Sequence, residues 1–157
     1  PFSPYKLGIS MFLAELLSYA TRHEQANGVL YLFVQNSIEW LDRAKGSIGN
    51  FHIVFMIQLS FHLGFMPNIE SGMSGDYFDL VDGCFVAHVP SHVHYLNKED
   101  SMRLVSLFRL EYKTMHLYTM SRIERNRCVE VILEYYKLHL PDFPEMKSFS
   151  VLQELFA

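Results

Sequence analysis

The stretch from Asn50 to Pro67, NFHIVFMIQLSFHLGFMP, decides the fold, because apolar residues fall on nearly every face of the helix that it predicts. A helix that is hydrophobic all round is either buried in a protein core or crosses a membrane. A bilayer span needs roughly 20 residues, whereas Gly64 ends this run early and two histidines interrupt it. We therefore predict the central core helix of a soluble domain, beginning near residue 47. In such a core helix, truncating Phe55 or Phe61 to alanine costs about 3 to 5 kcal/mol.

Amphipathic helices are predicted on both sides of this central stretch. Five segments repeat apolar residues three or four positions apart, which is the spacing of a helix with one buried face. They are residues 6–22, 29–44, 98–112, 122–138 and 147–156. Asn97, Ser121 and Ser148 stand where helix N-caps are expected, and residues 115–120 suggest a short helical turn. Short turns between the first three helices predict an antiparallel helical layer.

The pattern changes to a short alternation between the third and fourth helices. Residues 77–86, YFDLVDGCFV, alternate around Asp82-Gly83, which is a strong signal of a β-hairpin. Residues 68–75 read as a loop and residues 87–95 as irregular chain. The predicted fold class is therefore all-α, a helical bundle with a small β-hairpin inserted after the third helix. We expect one domain over residues 1–157, with the insertion at about residues 68–95.

Composition restricts the classes of function. Of the 157 residues, 50% are hydrophobic, and the formal net charge is −4. A self-sufficient nucleic-acid binder needs a basic surface, which this balance does not supply. Two cysteines are too few for a disulfide framework and fit a reducing compartment. We expect a piece of a longer cytoplasmic protein that has no contact with a membrane and uses its apolar excess to bind a neighbour.

One cluster beside the hairpin has the residue types of a metal site. Cys84, His88, His92 and His94 follow one another with the spacing C-x3-H-x3-H-x-H. Tetrahedral zinc accepts thiolate and imidazole ligands. The spacing matches no standard zinc pattern, however, and Cys84 can equally face the core. We therefore expect no metal, and a zinc site at these four residues stays as the weaker alternative.

A second cluster is basic. Arg122, Arg125 and Arg127 open the predicted fifth helix, and Lys113 precedes them, in a chain that is acidic overall. Such residues can bind phosphates or an acidic peptide. Cations at a helix N-terminus oppose the helix dipole, so their unfavourable position favours a partner. The alternative is a solvated face that neighbouring glutamates partly neutralise.

Neither aromatic residues nor sequence motifs indicate an enzyme. The later helices carry five aromatic residues for which base stacking is conceivable, although their spacing favours core packing. They are Phe108, Tyr112, Tyr118, Tyr135 and Tyr136. The sequence has no nucleophile elbow, phosphate-binding loop, zinc-protease motif or dinucleotide turn, and Cys128 lies on an apolar stripe. We predict a protein that is not an enzyme and needs no cofactor.

The order of these features resembles a known family. The sequence joins a buried helix ending LGFMPN, the hairpin YFDLVDGCFV, and the closing run RNRCVEVILEYYKLHLPDFPEMKSFSVLQELF. Over essentially its whole length it resembles the C-terminal helical region of the RecO family of bacterial DNA repair proteins, particularly the branch found in Bacteroides-like bacteria. The closing run, with YYKLHL and KSFSVLQELF, is the most specific part.

The resemblance implies a recombination mediator that catalyses no reaction. Such proteins carry an N-terminal OB-fold, which would lie upstream of Pro1 and supply much of the DNA binding. They bind single- and double-stranded DNA, anneal strands, contact the acidic tail of single-stranded-DNA-binding protein, and load RecA together with RecR. The alternative is an α-helical regulatory or ligand-binding module with no DNA role.

The resemblance also has implications for the possible zinc site and for the basic cluster. Many relatives hold zinc with four cysteines around the loop and hairpin, whereas this chain has only Cys84 there, so we expect side-chain packing instead. The recognised acidic tail ends in an apolar residue, so its pocket should combine a cation with an apolar hollow. Arg122, Arg125 and Arg127 are the candidates, chosen by charge.

Overall fold

The structure, a computed structural model, describes residues 3–70 and 75–156. Within these residues, three α-helices are followed by three short strands and then by three more α-helices, and all but the third strand stand in the order that the sequence predicts. They are α1 Pro4–Ala20, α2 Gly28–Arg43, α3 Phe51–His62, β1 Tyr77–Asp79, β2 Cys84–Val86, β3 Tyr95–Leu96, α4 Lys98–Phe108, a 3₁₀ turn Met115–Leu117, α5 Arg122–His139 and α6 Phe149–Leu155. The all-α class with a small β insertion is confirmed. The predicted loop residues 71–74 lie outside the described residues.

Helix α3 lies at the centre of the bundle, as predicted. Nine of its 12 residues are buried, and it packs against α1, α2, α4 and α5. The helix starts at Phe51, four residues later than expected, because residues 44–49 form a loop that ends at the N-cap Asn50. Among the described residues, no helix is long and apolar enough to cross a bilayer.

The expectation for Phe61 is wrong. Phe55 is fully buried, but Phe61 is 62% exposed. Phe61 lies over a groove beside Leu107 and Phe108, where α4 ends at Phe108 instead of residue 112. No further helical turn is therefore available to cover the last turn of α3.

Local capping chemistry sets most of the other helix ends. Ser121 and Glu124 form a capping box at the start of α5. The Asn97 side chain accepts a hydrogen bond from the backbone amide of Asp100 in the first turn of α4. Each such cap contributes about 1 kcal/mol. The predicted cap Ser148 does not cap α6. Its hydroxyl instead donates to Glu15 Oε1 at 2.6 Å, which ties the chain before α6 to α1.

The β insertion is a three-stranded antiparallel sheet with the strand order β2-β1-β3. The predicted hairpin is present, with Tyr77 opposite Val86 and Gly83 in the left-handed region at φ +69°. The strand Tyr95–Leu96 was not predicted, because two residues are too short to show an alternating pattern. It forms because Leu96 pairs with Phe78 of β1 and because the Leu96 side chain is buried.

Candidate partner-binding site

The basic cluster of the sequence divides between two sides of α5. Successive helix residues are rotated by about 100°, so Arg122 and Arg125 share one side while Arg127 points away. The guanidinium of Arg127 lies 3.2 Å from Asp100 on α4. Arg122 lies 3.5 Å from Glu154 at the end of α6. Three neighbouring charges in the sequence therefore have different surroundings in space.

Lys113 does not join the arginines. It is exposed in the turn between α4 and the 3₁₀ turn. Over residues 3–70 and 75–156, no hydrogen bond or ion pair of its side chain is found, and it does not line the hollow described below. The structure thus brings together only part of the predicted basic site.

Arg125 is a half-buried cation whose polar contacts are all neutral. Its Nε donates to Asn50 Oδ1 at 3.5 Å, and its Nη2 donates to the Met120 carbonyl at 3.4 Å. Both contacts are long for charged hydrogen bonds. No carboxylate in the described part of the chain lies within ion-pair distance of this guanidinium. Burial lowers the pKa of Arg125, which is the mark of a charge that has lost water without gaining a counter-ion.

The Arg125 guanidinium faces an open hollow of about 610 Å³, here called the Arg125 hollow. Residues 46–49 form one wall, Tyr5 of α1 another, and Leu155 and Phe156 a third. Arg125 lies over the Phe156 ring, 5.8 Å from its centroid. The hollow therefore combines one cation with apolar and aromatic walls.

Gly49 allows the arginine to lie against the loop wall. A β-carbon at this position would stand 3.3 Å from the Cζ and Nη2 atoms of Arg125. Such a contact is tighter than most real contacts of this kind, so a larger residue would displace the guanidinium. Gly46, on the same wall, has nothing within 4 Å of its β-position.

Asn50 links the loop wall of the hollow to the rest of the domain. The wall formed by residues 46–49 leads directly into Asn50 and α3. The Asn50 side chain does not cap the helix. Its amide donates to the carbonyls of Met115 and Tyr118 at 3.0 and 2.9 Å, and its Oδ1 accepts from Arg125 Nε. Asn50 thus fixes the end of the loop wall beside the guanidinium.

His52, in the first turn of α3, is buried and uncharged. Burial first, and the charge of Arg125 second, lower its pKa to about 3. Its Nδ1 has no hydrogen-bond partner in the described residues, and its ring packs against those of Phe12 and Phe156. Of Arg125 and His52, only Arg125 is therefore charged near neutral pH. His52 contributes a neutral ring that packs against Phe156.

Two lysines that the sequence did not point to adjoin wall residues of the hollow along the chain. Lys6 follows the wall residue Tyr5, and its Nζ donates to the carbonyl of Asp42 at the end of α2. Lys45 directly precedes the wall residue Gly46 and is exposed. These residues are far apart in the sequence, so no local signal joined them to α5.

Comparisons with known proteins identify the family. The family model described as "Recombination protein O C terminal" matches residues 1–148. The chain belongs to the RecO family. The DNA repair protein RecO of Phocaeicola vulgatus is 49% identical over 157 residues, covering 100% of this chain and 65% of that protein. For Bacteroides fragilis, the RecO protein is 48% identical, covering 99% and 65%; for Porphyromonas gingivalis it is 35% identical, covering 98% and 63%.

These relatives confirm the resemblance to the Bacteroides-like branch of RecO proteins. The chain spans 65% of the length of the first of them, which is slightly less than two-thirds. No solved structure matches the chain.

The predicted ligands of the weaker zinc alternative do not form a metal-binding group. Among the described residues, no three His, Cys, Asp or Glu side chains are arranged to hold a metal ion. His92 Nε2 lies 3.1 Å from Asp79, and its Nδ1 accepts a hydrogen bond from the His94 amide at 3.0 Å. Burial raises the pKa of the Cys84 thiol, and His88 is exposed. Side-chain packing supports this sheet of the RecO domain, with Phe78 and Phe85 edge to face at 5.3 Å.

The aromatic residues of the later helices pack in the core. Tyr136 is fully buried and donates to the Met56 carbonyl at 2.5 Å. Tyr112 stacks on Phe51 with ring centroids 4.7 Å apart, and burial raises its pKa to about 12. Cys128 is also buried, which raises the pKa of its thiol to about 11, so it is protonated and unreactive near neutral pH.

Proposed function

We propose that this chain is the helical domain of a RecO-type recombination mediator, which serves DNA repair by binding partners and catalyses no reaction itself. Membership of the RecO family supports the role in repair. One observation supports the binding role: among the described residues, the half-buried Arg125 has no carboxylate partner, and it faces an open hollow with aromatic side chains in its walls. A buried charge without a counter-ion is costly, and a partner's carboxylate would relieve that cost.

The partner we propose for this site is the acidic tail of single-stranded-DNA-binding protein. A peptide carboxylate would accept charged hydrogen bonds from Arg125, while a terminal apolar side chain would lie in the hollow against Tyr5. Lys6 and Lys45, which adjoin the wall residues Tyr5 and Gly46 in the sequence, would attract further acidic residues of the peptide. The geometry thus suits a peptide that is acidic along its length and apolar at its end.

The other roles concern the whole protein. RecR and single- and double-stranded DNA are further proposed partners, and strand annealing and RecA loading are the proposed activities. We assign most DNA contacts to the portion of the relatives that this chain does not span, because the chain has a formal net charge of −4 and DNA binding requires positive charge. We propose that the protein acts in the cytoplasm, where free Cys84 and Cys128 would stay reduced.

The test is a titration of the chain with a fluorescein-labelled acidic peptide that ends in phenylalanine, at low salt. We expect saturable binding that Arg125→Gln weakens at least about tenfold, since a hydrogen bond to a charged group contributes about 1.5 to 3 kcal/mol. Arg127→Gln is the matched control, because Arg127 lies on the other side of α5 and faces Asp100. Absence of binding, or equal loss in both variants, would refute the proposed site.

A further inference from the structure

The segment from Glu154 to Phe156 carries the same chemistry as the ligand proposed for the Arg125 hollow. The Glu154 carboxylate lies 3.5 Å from Arg122. Two residues later, the Phe156 ring lies beneath the Arg125 guanidinium and 5.3 Å from the Tyr5 ring. An acidic residue followed by an aromatic one thus contacts both hollow-side arginines of α5 from within the same molecule.

We propose that this segment, Glu154 to Phe156, is an intramolecular competitor that partly fills the Arg125 hollow and leaves when an acidic peptide binds. The inference rests on the proposed function of the hollow and adds its regulation. Because the competitor is always present at the site, it reduces the apparent affinity for a peptide by the fraction of molecules in which it is docked. Release of the segment would therefore switch the site to its high-affinity state.

The polar contact of the segment is weak enough to be exchanged. Glu154 is 79% exposed on its side chain, and Arg122 is 43% exposed. An ion pair this exposed contributes little, typically less than about 1 kcal/mol. Arg125 forms no ion pair with the segment at all, so an incoming carboxylate would provide what Glu154 does not.

The secondary structure of the segment is also weak. Helix α6 has seven residues, Leu152 is its buried residue, and it lacks a side-chain N-cap. Helices this short are unstable without packing partners. The segment therefore depends on its contacts with the rest of the domain to remain folded against the hollow.

Contacts outside the hollow also hold the segment, among them the stacking of Phe156 on His52 and a contact of Leu155 with α1. Leu155 fits into a notch on α1 at Gly8, where a β-carbon would stand 2.1 Å from Leu155 Cδ1. Gly8 is buried within α1 and does not line the hollow. A Gly8→Ala substitution should thus displace the Leu155 side chain from this notch and loosen the segment without altering Arg125. It should not harm α1 itself, because alanine favours a helix over glycine by about 1 kcal/mol.

The competing interpretation is that Phe156 is a permanent wall that the peptide needs. The two interpretations predict opposite changes in the affinity for the peptide when the segment is loosened. If the segment competes, loosening it tightens peptide binding, whereas if it is a wall, loosening it weakens binding.

The experiment titrates the same labelled acidic peptide into the full chain and three variants. We expect Phe156→Ser and Gly8→Ala to tighten binding, by about tenfold if the segment is docked in about 90% of molecules. Gly28→Ala is the matched control, because Gly28 has nothing within 4 Å of its β-position. Amide hydrogen exchange of Phe149–Leu155 should accelerate when the peptide saturates the unmodified chain.

The outcomes separate this inference from the proposed function. If Arg125→Gln abolishes binding while Phe156→Ser and Gly8→Ala leave it unchanged or weaken it, the competitor is refuted and the site stands. Peptide saturation without faster exchange in α6 would also refute the competitor. If no variant binds, both proposals fail.

Discussion

The arginines on the two sides of α5 carry the same charge but differ in their hydrogen-bond and ion-pair partners. On the side facing α4, Arg103 lies 2.7 Å from Glu124 and Arg127 lies 3.2 Å from Asp100, so each cation has a carboxylate. On the side facing the hollow, the half-buried Arg125 has neutral oxygens as its hydrogen-bond partners. The first pair of contacts joins two helices of one domain, whereas the second arrangement leaves the charge of Arg125 without a counter-ion among the described residues. The pairing of a cation, more than its presence, is therefore the reason that we propose Arg125 as the partner-binding residue.

The largest expected effect concerns α3, which supports both sides of α5. Phe55→Ala should lower the free energy of unfolding by about 3 to 5 kcal/mol, because Phe55 is fully buried. Phe61→Ala should lower it by less than about 1 kcal/mol, because Phe61 is largely exposed. Urea titrations followed by circular dichroism would measure both. Similar losses in the two variants would mean that the groove beside α4 is closed in solution.

The next largest effect is a dependence of folding stability on pH, which comes from His52 near the Arg125 hollow. His52 has a pKa of about 3 in the folded chain, whereas an unfolded histidine has a pKa of about 6.5. The unfolded state therefore takes up a proton first, and stability falls as the pH drops from 6.5 towards 3. Between pH 6.5 and pH 5 the loss should be about 2 kcal/mol. His52→Gln should remove this slope, and an unchanged slope would show that His52 is not the group responsible.

A smaller effect should come from the loop wall beside Arg125. Gly49→Ala should weaken binding of the acidic peptide about fivefold, which corresponds to the loss of about 1 kcal/mol from a charged hydrogen bond. The reason is that its β-carbon would displace the guanidinium. Gly46→Ala is the control on the same wall, where the β-carbon meets nothing. Equal affinities for the two variants, measured by fluorescence anisotropy, would contradict the assigned position of Arg125.

The smallest effect is expected on the side facing α4. Arg127→Gln should lower the free energy of unfolding by less than about 1 kcal/mol, because its ion pairs with Asp100 and Glu130 are exposed. A thermal melt at low and at high salt would measure this loss and show it shrinking as salt screens the pair. A loss of several kcal/mol would mean that this side of α5 matters more to folding than the comparison implies.

Local chemistry allowed much of the fold to be predicted from the sequence. The N-cap Ser121 and the turn at Asp82-Gly83 depend on neighbouring residues, so they can be identified in a single sequence. The strand Tyr95–Leu96 and the exposure of Phe61 depend on what packs nearby. Neither property can be inferred from the residues of the segment alone.

The site was harder to predict for the same physical reason. The family resemblance implied a cation beside an apolar hollow, and Arg125 is the candidate arginine that faces an open hollow. The sequence could not separate Arg125 from Arg127, because the partner of Arg127 is Asp100, 27 residues away. Nor could it join Tyr5 and Phe156, which lie at opposite ends of the chain and meet only after folding.

The most direct test of the central claim observes the two arginines in one experiment. Nuclear magnetic resonance of ¹⁵N-labelled chain resolves the Nε–H signals of arginine side chains during a titration with the acidic peptide. We predict that the Arg125 signal shifts to saturation while the Arg127 signal stays in place. A shift of the Arg127 signal with Arg125 unmoved would contradict the assignment of the hollow as the partner-binding site.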